Sequence, residues 1–463
     1  MRDTTASSTN ALEPSNRQHL TLPIVLALAL ILLCSAFIQY TTVTETVVIA
    51  PARPDAASYV SYAYNLREYG VYSRAQTWAS PTLAPPTADD VSPPGYPLFL
   101  SIFLKDKPDL EFMRRVTLAQ AVLGVVTTLF AFLLAARVLA PSQACAVALL
   151  TALTPHLATV STYLLTESLF TSLLLASMWA FVRAVQTSRK RDWAMAGVVF
   201  GLCCLVRPTL QLAPLLLLPL ACFAPRMRPY LRPLMLATAF WAVLLLPWLY
   251  YKQQIPDAPD QPNLLRATLY HGSFPKFMYQ DQPESYAYPY RYDPHAAEIM
   301  GSDEGLRKWL GARMRRQPLR YLHWYLIGKP EHFLSWGIIA GMGDIYIYPV
   351  STSPFLVRPS FKAIRGLMFA LHWPLMLLGV GVAVTALWRP QGLGLHGPAK
   401  TGAQAVAIVF LIAIALHVLG APYPRYGIPF RPLAYVLAVA SAVALWQLLA
   451  YRTRTRTNRA LAT

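Results

Sequence analysis

Apolar runs alternate with polar stretches along most of the chain, and many runs have the length of a bilayer crossing. They fall near 21–40, 116–138, 143–161, 164–185, 193–206, 209–224, 231–251, 366–388, 403–420 and 433–450. A helix needs about 20 apolar residues to span the hydrocarbon core, with roughly 17–25 as the range. Most of the runs fit. The pair 193–206 and 209–224 is shorter and flanks Arg207-Pro208. One straight helix over 193–224 would be about 48 Å long, too long for a bilayer. The pattern therefore predicts a hairpin with Arg207-Pro208 at its tip. The expected fold is an all-α polytopic membrane protein, a bundle of about ten transmembrane helices.

Two long interruptions, 41–115 and 252–365, are too polar to be connections inside a membrane. Lys and Arg in the short loops set the orientation. With the N-terminus inside, the cytoplasmic segments carry Arg137, then Arg189-Lys190-Arg191, then Arg226, Arg228 and Arg232. Arg389, Lys400 and the tail residues Arg452, Arg454, Arg456 and Arg459 follow on the same side. The opposite short loops hold only Arg207, Arg425 and Arg431. The chain then divides into a cytoplasmic tail 1–20, a transmembrane module 21–251 that includes the first outer loop 41–115, and a large outer segment 252–365. C-terminal helices over 366–450 and a basic cytoplasmic tail 451–463 complete it. Segment 331–350, with Asp344 and several glycines, reads as interfacial or re-entrant rather than spanning.

Composition supports the membrane class. The chain is 55% hydrophobic and 13% charged, against about a quarter charged in a soluble domain. Its net charge of +18 is explained by topology and anionic lipid, and no nucleic-acid partner is expected. Five cysteines, Cys34, Cys145, Cys203, Cys204 and Cys222, all lie in apolar runs and read as buried small hydrophobes without disulfide or metal spacing. The histidines of the outer segment show no metal-ligand spacing, so no metal or cofactor is expected.

Candidate chemistry sits in the outward-facing stretches. In "PDAASYVSYAYNLREYGVYS" (54–73), Asp55 precedes a stripe of Tyr59, Tyr62, Ala63, Leu66 and Tyr69. Asp55 is either a helix cap or a functional acid, and the helix is expected in the outer interface with its tyrosines at headgroup depth. "SPPGYPLFL" (92–100) is a proline-stiffened turn that projects Tyr96. It either enters a surface helix or contacts substrate. Glu167 in "YLLTESLF" is an acid near the outer end of a helix, either solvated at the interface or functional. Arg207 and Arg425 stand on the side that positive charge avoids. A guanidinium fork suits phosphate, and snorkelling to headgroups is the other reading.

These residues occur in a recognisable order: the outer-loop Asp with "YVSYAYNLREYGVYS", then "PPGYPLFL", "LLTESLF", "GLCCLVRPT", "LLLPWLYYKQQ" and a late "RYGIP". The order resembles the GT-C integral-membrane glycosyltransferases. The nearest groups are the protein O-mannosyltransferase-like enzymes and the bacterial lipid A aminoarabinose transferase group. The likeness is good over about 21–254 and thin over 255–420. It implies a GT-C-type bundle with interfacial helices in its outer loops. It also implies transfer of a sugar from a polyprenyl-phosphate-linked donor to a glycan, lipid or protein acceptor. The setting would be the outer face of a bacterial cytoplasmic membrane, with both termini inside. The family's catalytic acid falls on Asp55 as general base, with Ala56 where a second acid often stands. Ser92 replaces the lysine that the aminoarabinose group carries near the Pro-Pro motif. Donor-phosphate binding therefore falls to Arg207 and Arg425, with Glu167, Tyr59, Tyr96 and Tyr426 as substrate-pocket candidates.

Two other readings compete. An O-antigen ligase or polymerase-like enzyme also pairs many helices with one large outer loop. A lipid-linked-sugar transporter or flippase should show internal symmetry and charges at mid-membrane. Here mid-helix charges are nearly absent.

Overall fold

The computed structural model describes residues 21–460, apart from 81–83, 224, 226, 256–262, 340, 389–394 and 396; Pro54 and 447–460 are described by backbone alone. The tail 1–20, Arg226 and Arg389 lie outside the described residues, and of the basic tail only the backbone to 460 is described.

The first helix, α1 (Leu22–Glu45), buries Ser35, Gln39, Thr41 and Thr42 together with Ile31 and Ile38 and turns Leu26, Leu30, Leu33 and Phe37 outward. Small and polar residues inside with large apolar ones outside is the arrangement a lipid surroundings favours. Across this interface Ser35 Oγ lies 3.0 Å from Thr128 Oγ1. After α1 come α2 (Pro54–Glu68) and α3 (Gly95–Ser101) in the first loop, then α4 (Leu110–Ala135). The Asp109 side chain accepts from Phe112 N at 2.7 Å and caps α4. Next, α5 (Pro141–Leu153) and α6 (Pro155–Thr159) are bent by 55°. Pro155 has no N–H to continue the first helix, so the run expected as one helix over 143–161 is broken.

The chain then forms α7 (Glu167–Thr187), α8 (Lys190–Val206), α9 (Ala213–Phe223) and α10 (Leu231–Gln254). Helix α9 folds back on α8 through a bend of 120°, and Ala221 late in α9 packs with Trp193 early in α8. That is the hairpin read from the sequence. Six short helices, α11 (Leu264–Gly272), α12 (Ala296–Gly301), α13 (Asp303–Arg316), α14 (Pro318–His323), α15 (Lys329–Leu334) and α16 (Pro354–Val357), make up the late segment. The bundle closes with α17 (Pro359–Trp388), α18 (Gly397–Leu419), the short turn α19 (Pro424–Gly427) and α20 (Arg431–Ala460).

Among the described residues, seven helices are long and apolar enough to cross a membrane, or nine if each bent pair counts once. The chain is an all-α polytopic membrane protein. Every predicted apolar run contains helix among the described residues, and the count falls below ten because α9 has 11 residues, about 16 Å, and α8–α9 passes only as a pair.

Among its described residues, segment 331–350 holds no helix long enough to span. After α15 it turns through Gly341, Gly343 and Asp344, all at positive φ. Trp336 Nε1 donates to Asp344 Oδ1 at 2.6 Å, and Arg365 pairs with Asp344 at 2.9 Å. It ends in β2 (Val350–Thr352), antiparallel to β1 (Val47–Val48). This small ribbon ties the start of the first loop to the end of the late segment.

Two other expectations change. Part of the α2 stripe is covered by protein rather than presented to headgroups: Tyr62 and Ala63 are fully buried. Residues 70–92 fold over them, with Tyr72 stacked on Tyr62 at 4.2 Å and the Tyr62 hydroxyl donating to Asp89. Of the five free cysteines, Cys145, Cys203 and Cys204 are buried, while Cys34 is half-buried and Cys222 exposed, because α1 and α9 lie at the bundle's outer surface.

Candidate active site

Four charged side chains from four distant parts of the chain meet at one end of the bundle. Asp55 is in the first turn of α2, whose cap position is Arg53. Asp55 makes no capping bond; it faces Arg425, so the cap reading is corrected. Glu167 is the first residue of α7 and is wholly buried, where the helix N-terminus favours an anion. Arg207 follows the last residue of α8 in extended conformation, since Pro208 cannot prolong the helix. Arg425 sits in α19, held between Pro424 and Gly427. A Cβ on Gly427 would come 2.2 Å from Phe333 O, so only glycine lets α19 approach α15 this closely.

Arg425 bridges the two acids. Its Nε donates to Glu167 Oε1 at 2.6 Å, and its Nη1 donates to Asp55 Oδ2 at 2.9 Å. Arg207 Nη2 reaches the same Glu167 oxygen at 3.5 Å. The four formal charges sum to zero. The pairing is uneven, however: Glu167 Oε2 and Arg207 Nη1 are buried without a hydrogen-bond partner. Asp55 is the most accessible member, its side chain 55% exposed against 16% for Arg425. Arg207 also lies over the Tyr426 ring, 4.8 Å from its centroid.

The tyrosines fall into two groups. Tyr426 and Tyr59 border the charges, and burial pushes the Tyr59 phenol up to about 12, so it is a neutral hydrogen-bond donor at physiological pH. Tyr96 does not line an open surface. It is fully enclosed, packs edge-on to Tyr59 at 5.2 Å and donates to Gln120 Oε1 at 2.9 Å. The "PPGYP" turn thus supports the site from beneath. A Cβ on Gly95 would stand 2.7 Å from the Leu205 carbonyl carbon, so this glycine seats α3 directly against the end of α8 that carries Arg207.

Tyr348 and Arg53 were not recognised from the sequence. Burial first, and then the Asp55 carboxylate, push the Tyr348 phenol up. Its hydroxyl is buried without a partner, and the Arg53 guanidinium lies 5.7 Å from its ring centroid. The only signal in the sequence was the aromatic richness of "DIYIYP". Among the described residues no three His, Cys, Asp or Glu side chains gather as a metal site.

The opposite end of the bundle includes Arg137, one of the positions assigned to the inner side from charge. Gln186 Nε2 donates to Arg137 O at 3.0 Å and to Pro398 O at 2.9 Å, while Arg183 pairs with Asp192 at 3.3 Å.

The chain is an all-α polytopic membrane protein with a charged cluster at one end of its bundle, and it is similar to the GT-C glycosyltransferases. Residues 91–251, roughly a third of the chain, match the family model of dolichyl-phosphate-mannose-protein mannosyltransferases. The resemblance read from the motifs is thereby shown.

Among solved structures, the chain is similar to the oligosaccharyltransferase AglB from Archaeoglobus fulgidus in complex with an inhibitory peptide and a dolichol-phosphate. Identity is 15%, over 94% of this chain and 52% of that one, with a TM-score of 0.49. It is also similar to ArnT from Cupriavidus metallidurans bound to undecaprenyl phosphate, at 16% identity over 91% of this chain and 77% of that one, with a TM-score of 0.39. The chain spans about half the length of the archaeal enzyme. No curated protein sequence matches it.

Proposed function

We propose that this protein is a glycosyltransferase that moves a sugar from a polyprenyl-phosphate-linked donor to an acceptor at the outer face of a bacterial cytoplasmic membrane. The observation that carries the reading is the convergence of Asp55, Glu167, Arg207 and Arg425 at one end of the bundle. The motif order and the matched mannosyltransferase family support it, as does the polyprenyl-type phosphate bound to each of the two solved relatives.

The residues divide the work as follows. Asp55 takes the proton from the acceptor's hydroxyl or amine as that atom bonds to the sugar's anomeric carbon. The bond from that carbon to the phosphate oxygen breaks, and its electron pair leaves with the polyprenyl phosphate. Arg207, with a buried Nη1 that has no partner, faces the charge that grows on this leaving group. Arg425 fixes the Asp55 carboxylate through Oδ2, and its contact with the phosphate requires release of one acid. Glu167, wholly buried, anchors both guanidiniums.

The test is transfer in detergent from a synthetic polyprenyl-phosphate sugar. Asp55→Asn is expected to abolish turnover while expression and thermal unfolding stay normal. Activity within about threefold of the parent, under 1 kcal/mol of barrier, would remove Asp55 from the chemistry.

A further inference from the structure

The late segment holds a polar cavity that the transfer chemistry does not use. It has a volume of about 270 Å³ and is bordered by Phe274, Gln280, Asp281, Arg313, Gln317 and Arg320 among others. One water needs only about 10–15 Å³ on the same measure, so the space suits a group the size of a sugar unit.

Its charges do not cancel. Arg320 Nη2 donates to Asp281 Oδ1 at 2.6 Å. Arg313, in the last turn of α13, has no carboxylate within ion-pair distance among the described residues. Its guanidinium lies instead over the Trp309 ring at 4.5 Å and near the Phe274 ring at 5.9 Å. One half-buried guanidinium is therefore left without an anion in a wall that also offers two side-chain amides and an aromatic edge.

The opposite wall is conformationally strained. Lys276, Phe277, Gln280 and Asp281 have φ of 59°, 55°, 51° and 60°, a left-handed conformation that residues with a Cβ seldom adopt. Such strain persists only where surrounding structure enforces it, and it concentrates at ligand clamps. Here it carries Gln280 and Asp281 to the cavity. The same turn presents Phe277 to Tyr423, stacked at 5.1 Å. Tyr423 meets Tyr426 at 5.6 Å, and Tyr426 lies under Arg207. The cavity wall is thus joined to the charged cluster through consecutive aromatic rings.

We propose that this cavity binds an anionic saccharide, a sugar bearing a carboxylate or a phosphate, with Arg313 taking the anion and Gln280 and Gln317 the hydroxyls. A guanidinium stacked on an aromatic ring is held ready for a two-pronged contact with either acid group. The binding claim stands without the transferase reading. On that reading the site holds the acceptor's acidic residue.

The experiment is a titration of the full-length protein in detergent micelles with glucuronate, glucose 6-phosphate, glucose and inorganic phosphate, followed by saturation-transfer NMR and calorimetry. At least one acidic sugar is expected to bind, with glucose and inorganic phosphate at least tenfold weaker. Which acidic sugar prevails distinguishes carboxylate from phosphate recognition. Arg313→Gln is expected to weaken binding at least tenfold, and Gln317→Ala, at the exposed bend between α13 and α14, severalfold. Arg207→Gln is expected to leave it unchanged. Equal binding of inorganic phosphate or glucose, full binding in both cavity variants, or loss in Arg207→Gln would each overturn the assignment. If Arg313→Gln does not fold, Gln317→Ala decides. Failure of sugar transfer with saccharide binding intact would refute the enzyme reading alone.

Discussion

Arg425 is the residue whose replacement separates anchoring from chemistry. Its planar group uses two different nitrogens on two acids, Nε on Glu167 at 2.6 Å and Nη1 on Asp55 at 2.9 Å. A lysine keeps the charge but offers one nitrogen, so one of the two charge-assisted bonds is lost. Such a bond is worth about 1.5–3 kcal/mol, which corresponds to roughly a 10- to 150-fold loss of turnover if Asp55 loses its position. Arg425→Gln does more harm, because Glu167 is wholly buried and keeps only Arg207 at 3.5 Å. Breaking a buried pair in this way costs about 3–5 kcal/mol of stability. Adding Glu167→Gln to Arg425→Gln removes the unpaired buried charge, so stability should return by at least about 1–2 kcal/mol through coupling, while turnover stays low. The assays are donor-dependent transfer in detergent and thermal unfolding of the same four preparations. Turnover of Arg425→Lys within about threefold of the parent, or an Arg425→Gln protein as stable as the parent, would refute the argument.

Gly95→Ala should destabilise the protein by about 1–3 kcal/mol and reduce turnover, because the added methyl meets the Leu205–Val206 backbone beside Arg207; unfolding and transfer measurements check both effects. His271 carries a pH effect: burial first, and Arg291 in addition, bring it down to about 4, against about 6.5 unfolded. Between those values the unfolded chain binds the extra proton, so stability falls as pH drops from about 6.5 to about 4, by up to roughly 3 kcal/mol. Limited proteolysis of the late segment against pH should show the loss, and His271→Gln should flatten it. Ser302→Cys, at an exposed position, should be labelled in intact cells by an impermeant thiol reagent, and labelling only after lysis would invert the proposed orientation.

The helices were legible because each apolar run has a length fixed by the bilayer, and Pro208 marks the hairpin tip; the break at Pro155, inside a run expected as one helix, went unread because the apolar pattern continues across it. The structure places Arg207 and Arg425 together at one end of the bundle, as their shared assignment to one side from charge implies; which side of a membrane that end faces is part of the proposal. Inside the first loop the reading failed. Period alone places Tyr62 on an amphipathic stripe, but whether lipid or protein covers a stripe depends on residues 70–92 folding back, which no local pattern encodes. Tyr348 was missed for the same reason: its place beside Asp55 depends on the pairing of β1 with β2, two short strands about 300 residues apart. Asp55 illustrates the limit from the other side. Its position at a helix start suggested a cap, and only the tertiary partner Arg425 shows where the carboxylate goes.

The balance of charge at the cluster constrains how the proposed enzyme accepts its donor. Two acids and two arginines are neutral together, so an arriving phosphate finds no net attraction from the four alone. It finds instead an unequal set of contacts: Arg425 is held at 2.6 and 2.9 Å, Arg207 at 3.5 Å. Arg207 is the cation that can turn to a phosphate with least loss, because it leaves a long contact and brings an unpartnered Nη1. Glu167 keeps Arg425, and Arg425 keeps Asp55. On this account Arg207→Gln should raise the donor's Michaelis constant without displacing the base, whereas Arg425→Lys should lower turnover at saturating donor. A donor titration of the two variants separates these outcomes. Identical kinetic defects in both would mean that the two arginines act as one phosphate clamp, and that the resting contacts seen here do not set their roles.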